Sequence, residues 1–91
     1  MPKTIKLPAN LRAHAGDQVE VSCEGANVAE VLGHLFENYP DVKSRLVDTQ
    51  GNLHSYVNVF LGETNIRDAD GLQTPLAEDS KLLVVTALAG G

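Results

Sequence analysis

Hydrophobic and polar residues alternate with a period of two in three stretches of the chain, which predicts three β-strands. A fourth stretch is apolar on both faces, which suits a strand in the centre of a sheet. The turn-rich sequence before it leaves room for only a very short strand near residues 65–67. The four longer stretches are KTIKLP (3–8), DQVEVSC (17–23), HSYVNVFLG (54–62) and KLLVVTAL (81–88).

The first two strands are expected to form a hairpin. Gly16 and Asp17 lie between them and are typical of a turn. In the second strand Val19, Val21 and Cys23 alternate with polar residues, so we expect all three side chains to face the core.

Between the second and third strands the period changes to that of an amphipathic helix. Asn27 and Glu30 fit an N-cap and its reciprocal partner, and Pro40 is expected to stop the helix. Gly33 should weaken the helix by about 1 kcal/mol relative to Ala, which suggests close packing or an approaching partner there. The apolar stripe consists of Val28, Val31, Leu32, Leu35, Phe36 and Tyr39.

Residues 41–52 read as a polar connector, anchored by Val42, Leu46 and Val47. One helix can cover one face of a small sheet, which is the two-layer arrangement open to a chain of this size. We therefore predict an α+β fold with a mixed four- to five-stranded sheet and one main helix packed on one face. If the first and last strands pair in the middle and run parallel, the fold is a β-grasp, as in ubiquitin-like proteins.

Composition and charge exclude several classes of function. The 43% hydrophobic content is that of a folded chain, and a formal charge of −5 with scattered basic residues argues against nucleic-acid binding. No apolar stretch approaches the roughly 18 residues of a membrane span, and no signal-peptide pattern is present. A single cysteine, Cys23, is consistent with a reducing compartment, and its place in the alternation favours a core position. We expect a cytoplasmic protein that binds no membrane.

The sequence contains no clear metal-binding or catalytic motif. His14, His34 and His54 lack metal-ligand spacing, and DADG (68–71) is more typical of a turn than of a calcium loop, which has a glutamate at its twelfth position where this chain has Asp79. Neither a phosphate-binding glycine loop nor a serine hydrolase motif occurs. We therefore expect a protein that catalyses nothing by itself and holds no metal or cofactor stably.

The end of the sequence is different. We place the domain at residues 1–87 and treat residues 88–91 as a flexible tail that ends in Gly90 and Gly91. If extended, the last four residues reach about 13 to 14 Å, and an end without side chains can thread a narrow tunnel. Its α-carboxylate could then attack the α-phosphorus of ATP bound to a second protein. The alternative is a frayed tail with no function.

Three segments, VAEVLGHLFENYP, LHSYVNVFLGETNIR and GLQTPLAEDSKLLVVTALAGG, together resemble the ubiquitin-like sulfur carriers of the MoaD and ThiS type. Within that family the likeness is greatest to the cysteine-biosynthesis branch. The resemblance implies that Gly91 carries the reactive carboxylate, that Gly90 belongs to the same functional terminus, and that Ala89 and Leu88 form a docking stem.

The resemblance also implies a set of partners. An adenylating enzyme related to the ubiquitin-activating enzymes would use ATP and magnesium to activate Gly91, and a sulfur donor or sulfurtransferase would convert it to a thiocarboxylate. A recipient synthase, pyridoxal-phosphate-dependent in the cysteine branch, would accept the sulfur. A zinc metallopeptidase would then trim the cysteine from the carrier. Molybdopterin, thiamin and thiolated transfer RNA are alternative products.

The expected docking surface is the sheet face opposite the helix, where Tyr56, Asn58 and Phe60 point if Val57, Val59 and Leu61 face the core. Phe60 is either an interface anchor or an aromatic ring half-covered by its neighbours. We expect a monomer when the carrier is free, although the apolar sheet face could permit weak self-association. Two rival functions stay open: a protein modifier joined to lysines through Gly91, and an interaction domain with an idle tail.

Overall fold

The computed structural model describes residues 3–86, which contain one five-stranded sheet in the order β2-β1-β5-β3-β4. The central strands β1 and β5 are parallel, and the other neighbouring pairs are antiparallel. This mixed sheet with a main helix on one face is the predicted β-grasp fold. The strands are β1 (Lys3–Lys6), β2 (Glu20–Cys23), β3 (Val57–Leu61), β4 (Thr64–Asn65) and β5 (Lys81–Thr86).

The connection from β1 to β2 contains helical structure. Helix α1 (Ala9–Arg12) and a 3₁₀ turn (Ala13–Ala15) fill it, and Gly16 and Asp17 then reverse the chain with φ angles of 66° and 60°. The predicted pairing of β1 with β2 is confirmed, because the two strands are hydrogen-bonded neighbours and antiparallel. The prediction that Val19 faces the core is wrong: it precedes β2 and is 46% exposed.

The main helix, α2 (Val28–Asn38), begins and ends as the sequence predicts. The Asn27 side chain accepts a hydrogen bond from the Glu30 N–H at 2.9 Å, and the Glu30 carboxylate accepts one from the Ala26 N–H at 2.9 Å. The first bond satisfies one of the N–H groups that a helix start leaves without partners, and the second ties the residue before the N-cap to the first turn. The buried face of α2 consists of Val28, Val31, Leu32 and Leu35.

A second helix, α3 (Pro40–Leu46), occupies the segment that the sequence predicted as a polar connector. Pro40 is compatible with the first turn of a helix, so the residue that prevents α2 from continuing also begins α3. The predicted anchors Val42, Leu46 and Val47 are all buried. The connector prediction was wrong about helicity and correct about these anchors.

One hydrophobic core lies between the sheet and the helices. Val57 and Val59 of β3 join it together with Leu82 and Val84 of β5, so alternate residues of both strands face inward. The guanidinium of Arg67 donates to the carbonyl oxygens of His54 at 2.8 Å and Val57 at 2.6 Å, which fixes the chain at the start of β3. None of the helices within residues 3–86 has the length and apolar character needed to cross a membrane.

Candidate functional site

The sheet face opposite the core carries an apolar patch formed by Phe60, Leu83 and Val85, here called the outer patch. Phe60 lies directly across from Leu83 in the antiparallel pairing of β3 with β5. Leu83 and Val85 are 39% and 38% exposed, and Phe60 is partly buried. Large apolar side chains grouped on an exposed face are typical of an interaction surface.

Polar groups border the outer patch on both sides. Lys6 of β1 lies beside Leu83, and Lys81 precedes Leu83 by two residues on the same strand face; both lysines are exposed. On the other side Asn58 accepts a hydrogen bond from the Asn65 amide at 3.1 Å. Glu20 of β2 lies directly across from Lys6 and is also exposed, so this border carries both signs of charge. The patch fits an apolar partner surface with a polar rim.

The structure places most of the predicted face residues as expected. Phe60 and Asn58 lie on the outer face, and Val57 and Val59 are buried. Leu61 is partly buried and packs against the core.

Tyr56 is the exception. A turn closed by the hydrogen bond from the Val57 N–H to the His54 carbonyl, at 3.0 Å, interrupts the alternation just before β3. Tyr56 therefore packs against the edge of the core and stacks on the His54 ring at a centroid distance of 5.0 Å. The prediction that Tyr56 points to the outer sheet face together with Asn58 and Phe60 is wrong, and Tyr56 lies at the end of the sheet.

The predicted tail lies outside the described residues. Leu88, Ala89, Gly90 and Gly91, and the domain boundary at residue 87, therefore stay predictions. The structure does define where the chain leaves the sheet. Thr86 ends β5, the strand that pairs with β1 on one side and with β3 on the other.

The Cys23 thiol is a core group. Its side chain is fully buried, and burial raises its pKa from 9.0 to about 11, so the thiol is protonated at neutral pH. A thiolate is the reactive form, which argues against a cysteine nucleophile here. Within residues 3–86, no three His, Cys, Asp or Glu side chains come together in a way that could hold a metal ion.

We expect alkylation of Cys23 by iodoacetamide to be much slower in the native protein than in denaturant. The pKa shift alone lowers the thiolate fraction about 100-fold near pH 8. Because the folded-state pKa is the higher one, stability should be retained below pH 9 and fall as the pH rises from 9 toward 11. The variant Cys23→Ala should lose that part of the pH dependence. Equal alkylation rates in the folded and unfolded protein would contradict this account.

The part of the chain that the structure describes also has clefts that were not predicted from the sequence. A polar cleft of about 300 Å³ lies at the end of β5 and includes Tyr56 and Thr86. A smaller one, of about 190 Å³, lies on the helix side and includes Gly33, where an added Cβ would meet no heavy atom within 4 Å. The prediction that Gly33 allows close packing is therefore wrong, because no described residue of the chain packs closely against it. Its role for a partner stays a prediction.

The strand order, the parallel central pair and the covering helix define a ubiquitin-like β-grasp protein. Residues 5–91 match the model of the ThiS family. The chain belongs to the ThiS family.

Its relatives include a curated protein and two solved structures. The sulfur carrier protein CysO of Mycobacterium tuberculosis is 34% identical over 93 aligned positions, which cover 100% of both chains. A chain in the crystal structure of the Amycolatopsis orientalis BexX/CysO complex superposes with a TM-score of 0.89 at 30% identity, covering 98% of this chain and 99% of that one. Small archaeal modifier protein 1 of Methanosarcina acetivorans gives a TM-score of 0.82 at 30% identity, covering 98% and 95%.

Proposed function

We propose that this protein is a sulfur carrier whose Gly91 carboxylate is adenylated by a partner enzyme and converted to a thiocarboxylate. The thiocarboxylate then donates its sulfur in biosynthesis. Cysteine is the favoured product, because a curated relative that matches over the full length is the sulfur carrier CysO. In this proposal the chain is a protein co-substrate of the enzymes that act on its end, and it works in the cytoplasm, where ATP is available.

The observation that carries the proposal is the position of β5. This strand is hydrogen-bonded to a neighbour on each side, so Thr86 is a fixed starting point for the last five residues. Fully extended, five residues span about 16 Å, enough to carry Gly91 into a partner's active site while the domain stays outside. The family match runs through Gly91, which supports a shared use of this terminus.

Two successive substitutions complete the loading, the first at the α-phosphorus of ATP and the second at the Gly91 acyl carbon. A carboxylate oxygen attacks the α-phosphorus of ATP on the adenylating enzyme, and pyrophosphate leaves with the electron pair of the broken P–O bond. A sulfur nucleophile from the donor or sulfurtransferase then attacks the acyl carbon, and AMP leaves. If the nucleophile is hydrosulfide, the product is the thiocarboxylate itself. If it is a persulfide of the donor, a second thiol attacks the donor-side sulfur of the acyl disulfide, and the thiocarboxylate leaves as a new disulfide forms. ATP and magnesium belong to the partner, which supplies the phosphoryl chemistry.

The outer patch suits the docking of these partners. It combines a compact apolar centre with Lys6 and Lys81, which would add orientation to the contact. The BexX/CysO complex is an assembly of a related carrier with another protein, which supports a recipient synthase as one of the partners of this chain. The pyridoxal-phosphate requirement of that synthase and a trimming zinc metallopeptidase belong to the same proposal.

Replacing Phe60 by Ala should weaken binding to the adenylating enzyme about tenfold or more, which corresponds to about 1.4 kcal/mol. The melting temperature should change little, because Phe60 lies on the face opposite the core. Affinity is measured by titration calorimetry and stability by thermal unfolding. A large loss of stability with unchanged affinity would instead make Phe60 a structural residue.

A pair of valines provides the matched control for the outer patch. Val85→Ala removes two methyl groups from the patch, and Val19→Ala removes the same groups from an exposed position outside it. Only the first substitution should weaken binding. Equal effects would argue against a specific contact at the outer patch.

A protein modifier is the second candidate, favoured by the 30% identity to small archaeal modifier protein 1 of Methanosarcina acetivorans. The modifier would share the adenylation step and then join Gly91 to lysines of other proteins. Extracts of the protein's own cells should distinguish the two functions. Isopeptide-linked adducts support the modifier, and abundant thiocarboxylate without adducts supports the carrier.

A further inference from the structure

The polar cleft at the end of β5 lies where the tail leaves the domain. Because β1 and β5 are parallel, α1, which follows β1, lies at the same end of the sheet as Thr86. Helix α3 and the turn before β3 form the remaining walls. The six residues that line the cleft are Asn10, Leu11, Ser44, Arg45, Tyr56 and Thr86.

Arg45 is the charged residue of this cleft, and its guanidinium is available to bind a partner group. The other two arginines are used inside the fold: Arg12 donates to the Leu7 carbonyl at 3.1 Å, and Arg67 donates to two carbonyls before and within β3. Arg45 is exposed and donates no hydrogen bond to another residue within 3–86. A guanidinium offers five N–H donors in a planar arrangement that matches a carboxylate.

The position of the cleft determines what can reach it. A protein that encloses the chain beyond Thr86 must approach this end of the sheet, since β5 is fixed by β1 and β3 on its two sides. Polar groups of Asn10 and Ser44 lie exposed around Arg45, and Tyr56 contributes a partly buried ring. The cleft can therefore hold one polar side chain of the approaching protein beside a positive charge.

We propose that this cleft binds an acidic side chain of the adenylating enzyme, with Arg45 as its charge partner. The inference rests on the proposed function. It gives the enzyme a second contact besides the outer patch, next to Thr86, where the tail leaves the domain. A bidentate contact of a carboxylate with Arg45 aligns the domain on the enzyme. A domain aligned at Thr86 directs the tail toward the active site of the enzyme, because only a few residues separate Thr86 from Gly91.

Charge reversal on α3 tests the contact. Arg45→Glu and Lys43→Glu change the net charge equally, and both residues are exposed on the same helix. They lie two positions apart, on opposite sides of α3, and Lys43 lines the cleft that includes Gly33. The enzyme is isolated from the protein's own cells by its ATP-dependent association with the unaltered chain, and carrier-dependent ATP–pyrophosphate exchange is measured.

Arg45→Glu should raise the KM for the carrier about tenfold with kcat nearly unchanged, and Lys43→Glu should have little effect. In Arg45→Lys, a carbodiimide should join the new lysine to an Asp or Glu of the enzyme. Equal KM values for the two reversals, or no such cross-link, would overturn this inference while leaving the proposed function intact. If no ATP-dependent enzyme activates the unaltered chain, the proposed function fails and this inference fails with it.

Discussion

Replacing Gly90 by Ala should reduce activation of the C-terminal carboxylate about 100-fold in kcat/KM. If residues 88–91 thread a narrow tunnel, the added methyl group meets its wall and displaces the Gly91 carboxylate from the α-phosphorus. A displacement of about 1 Å from a reactive position is enough for a loss of this size. Carrier-dependent ATP–pyrophosphate exchange measures the effect, and thermal unfolding should be unchanged because Gly90 lies beyond the last residue of β5.

The neighbouring variant Ala89→Gly is the control for this prediction. It changes the tail by one methyl group in the opposite direction, so it creates no new contact with the tunnel wall. Activation of Ala89→Gly should stay within a few-fold of the unaltered chain. Normal adenylation of Gly90→Ala would contradict the tunnel, and loss of activation in both variants would point to tail flexibility as the controlling property.

Replacing Gly25 by Ala should destabilise the domain by about 2 to 3 kcal/mol, the upper part of the range for overpacking. A Cβ at Gly25 would lie 2.7 Å from the Val31 nitrogen and 2.9 Å from the Glu30 carbonyl carbon. Gly25 also has a φ angle of 157°, which residues with a side chain rarely adopt. The first turn of α2 would have to move, and the hydrogen bond between Glu30 and the Ala26 N–H would be strained.

Thermal unfolding measures this effect, and the melting temperature should fall by about 10 °C or more. Gly33→Ala is the matched control, because an added methyl there has no heavy atom within 4 Å and lies inside a helix. That variant should be as stable as the original chain, or more stable by up to about 1 kcal/mol. If Gly25→Ala unfolds at the original temperature, the first turn of α2 tolerates a displacement that its close contacts do not suggest.

The main helix and the longer strands could be predicted because each has a clear period. The stripe of α2 spans three turns, with Asn27 as the N-cap and Pro40 ending it, and both signals act locally. The alternation in β3 and the double-sided apolar pattern of β5 correctly placed these strands beside the core. The pairing of β1 with β5 joins residues far apart in sequence, so periodicity alone could not select it.

The errors fall where an element is short or where a turn interrupts a pattern. Helix α3 has seven residues and buries only Val42 and Leu46 within them, too few for a recognisable stripe. Val19 continues the alternation of β2 in sequence, but the strand begins at Glu20. Tyr56 likewise continues the pattern of β3 backwards, and the turn at residues 54–57 directs it elsewhere.

The candidate site likewise has parts that could be predicted from the sequence and a part that could not. The tail and Phe60 could be proposed from the sequence, since one is defined by residue type and the other by alternation. The cleft around Arg45 could not, because it forms where α1, α3 and the end of β5 meet. Two of these three elements are short helical segments that the sequence did not reveal.

Intact mass spectrometry of the untagged protein from its own cells shows directly whether Gly91 carries sulfur. A sulfur carrier should give a fraction with the mass gain of one oxygen exchanged for sulfur, located at Gly91 by fragmentation. If only the carboxylate form is found under conditions that preserve thiocarboxylates, the sulfur-carrier function is contradicted. Lysine-linked species in the same sample would then establish a protein modifier, and their absence would leave the tail without a function.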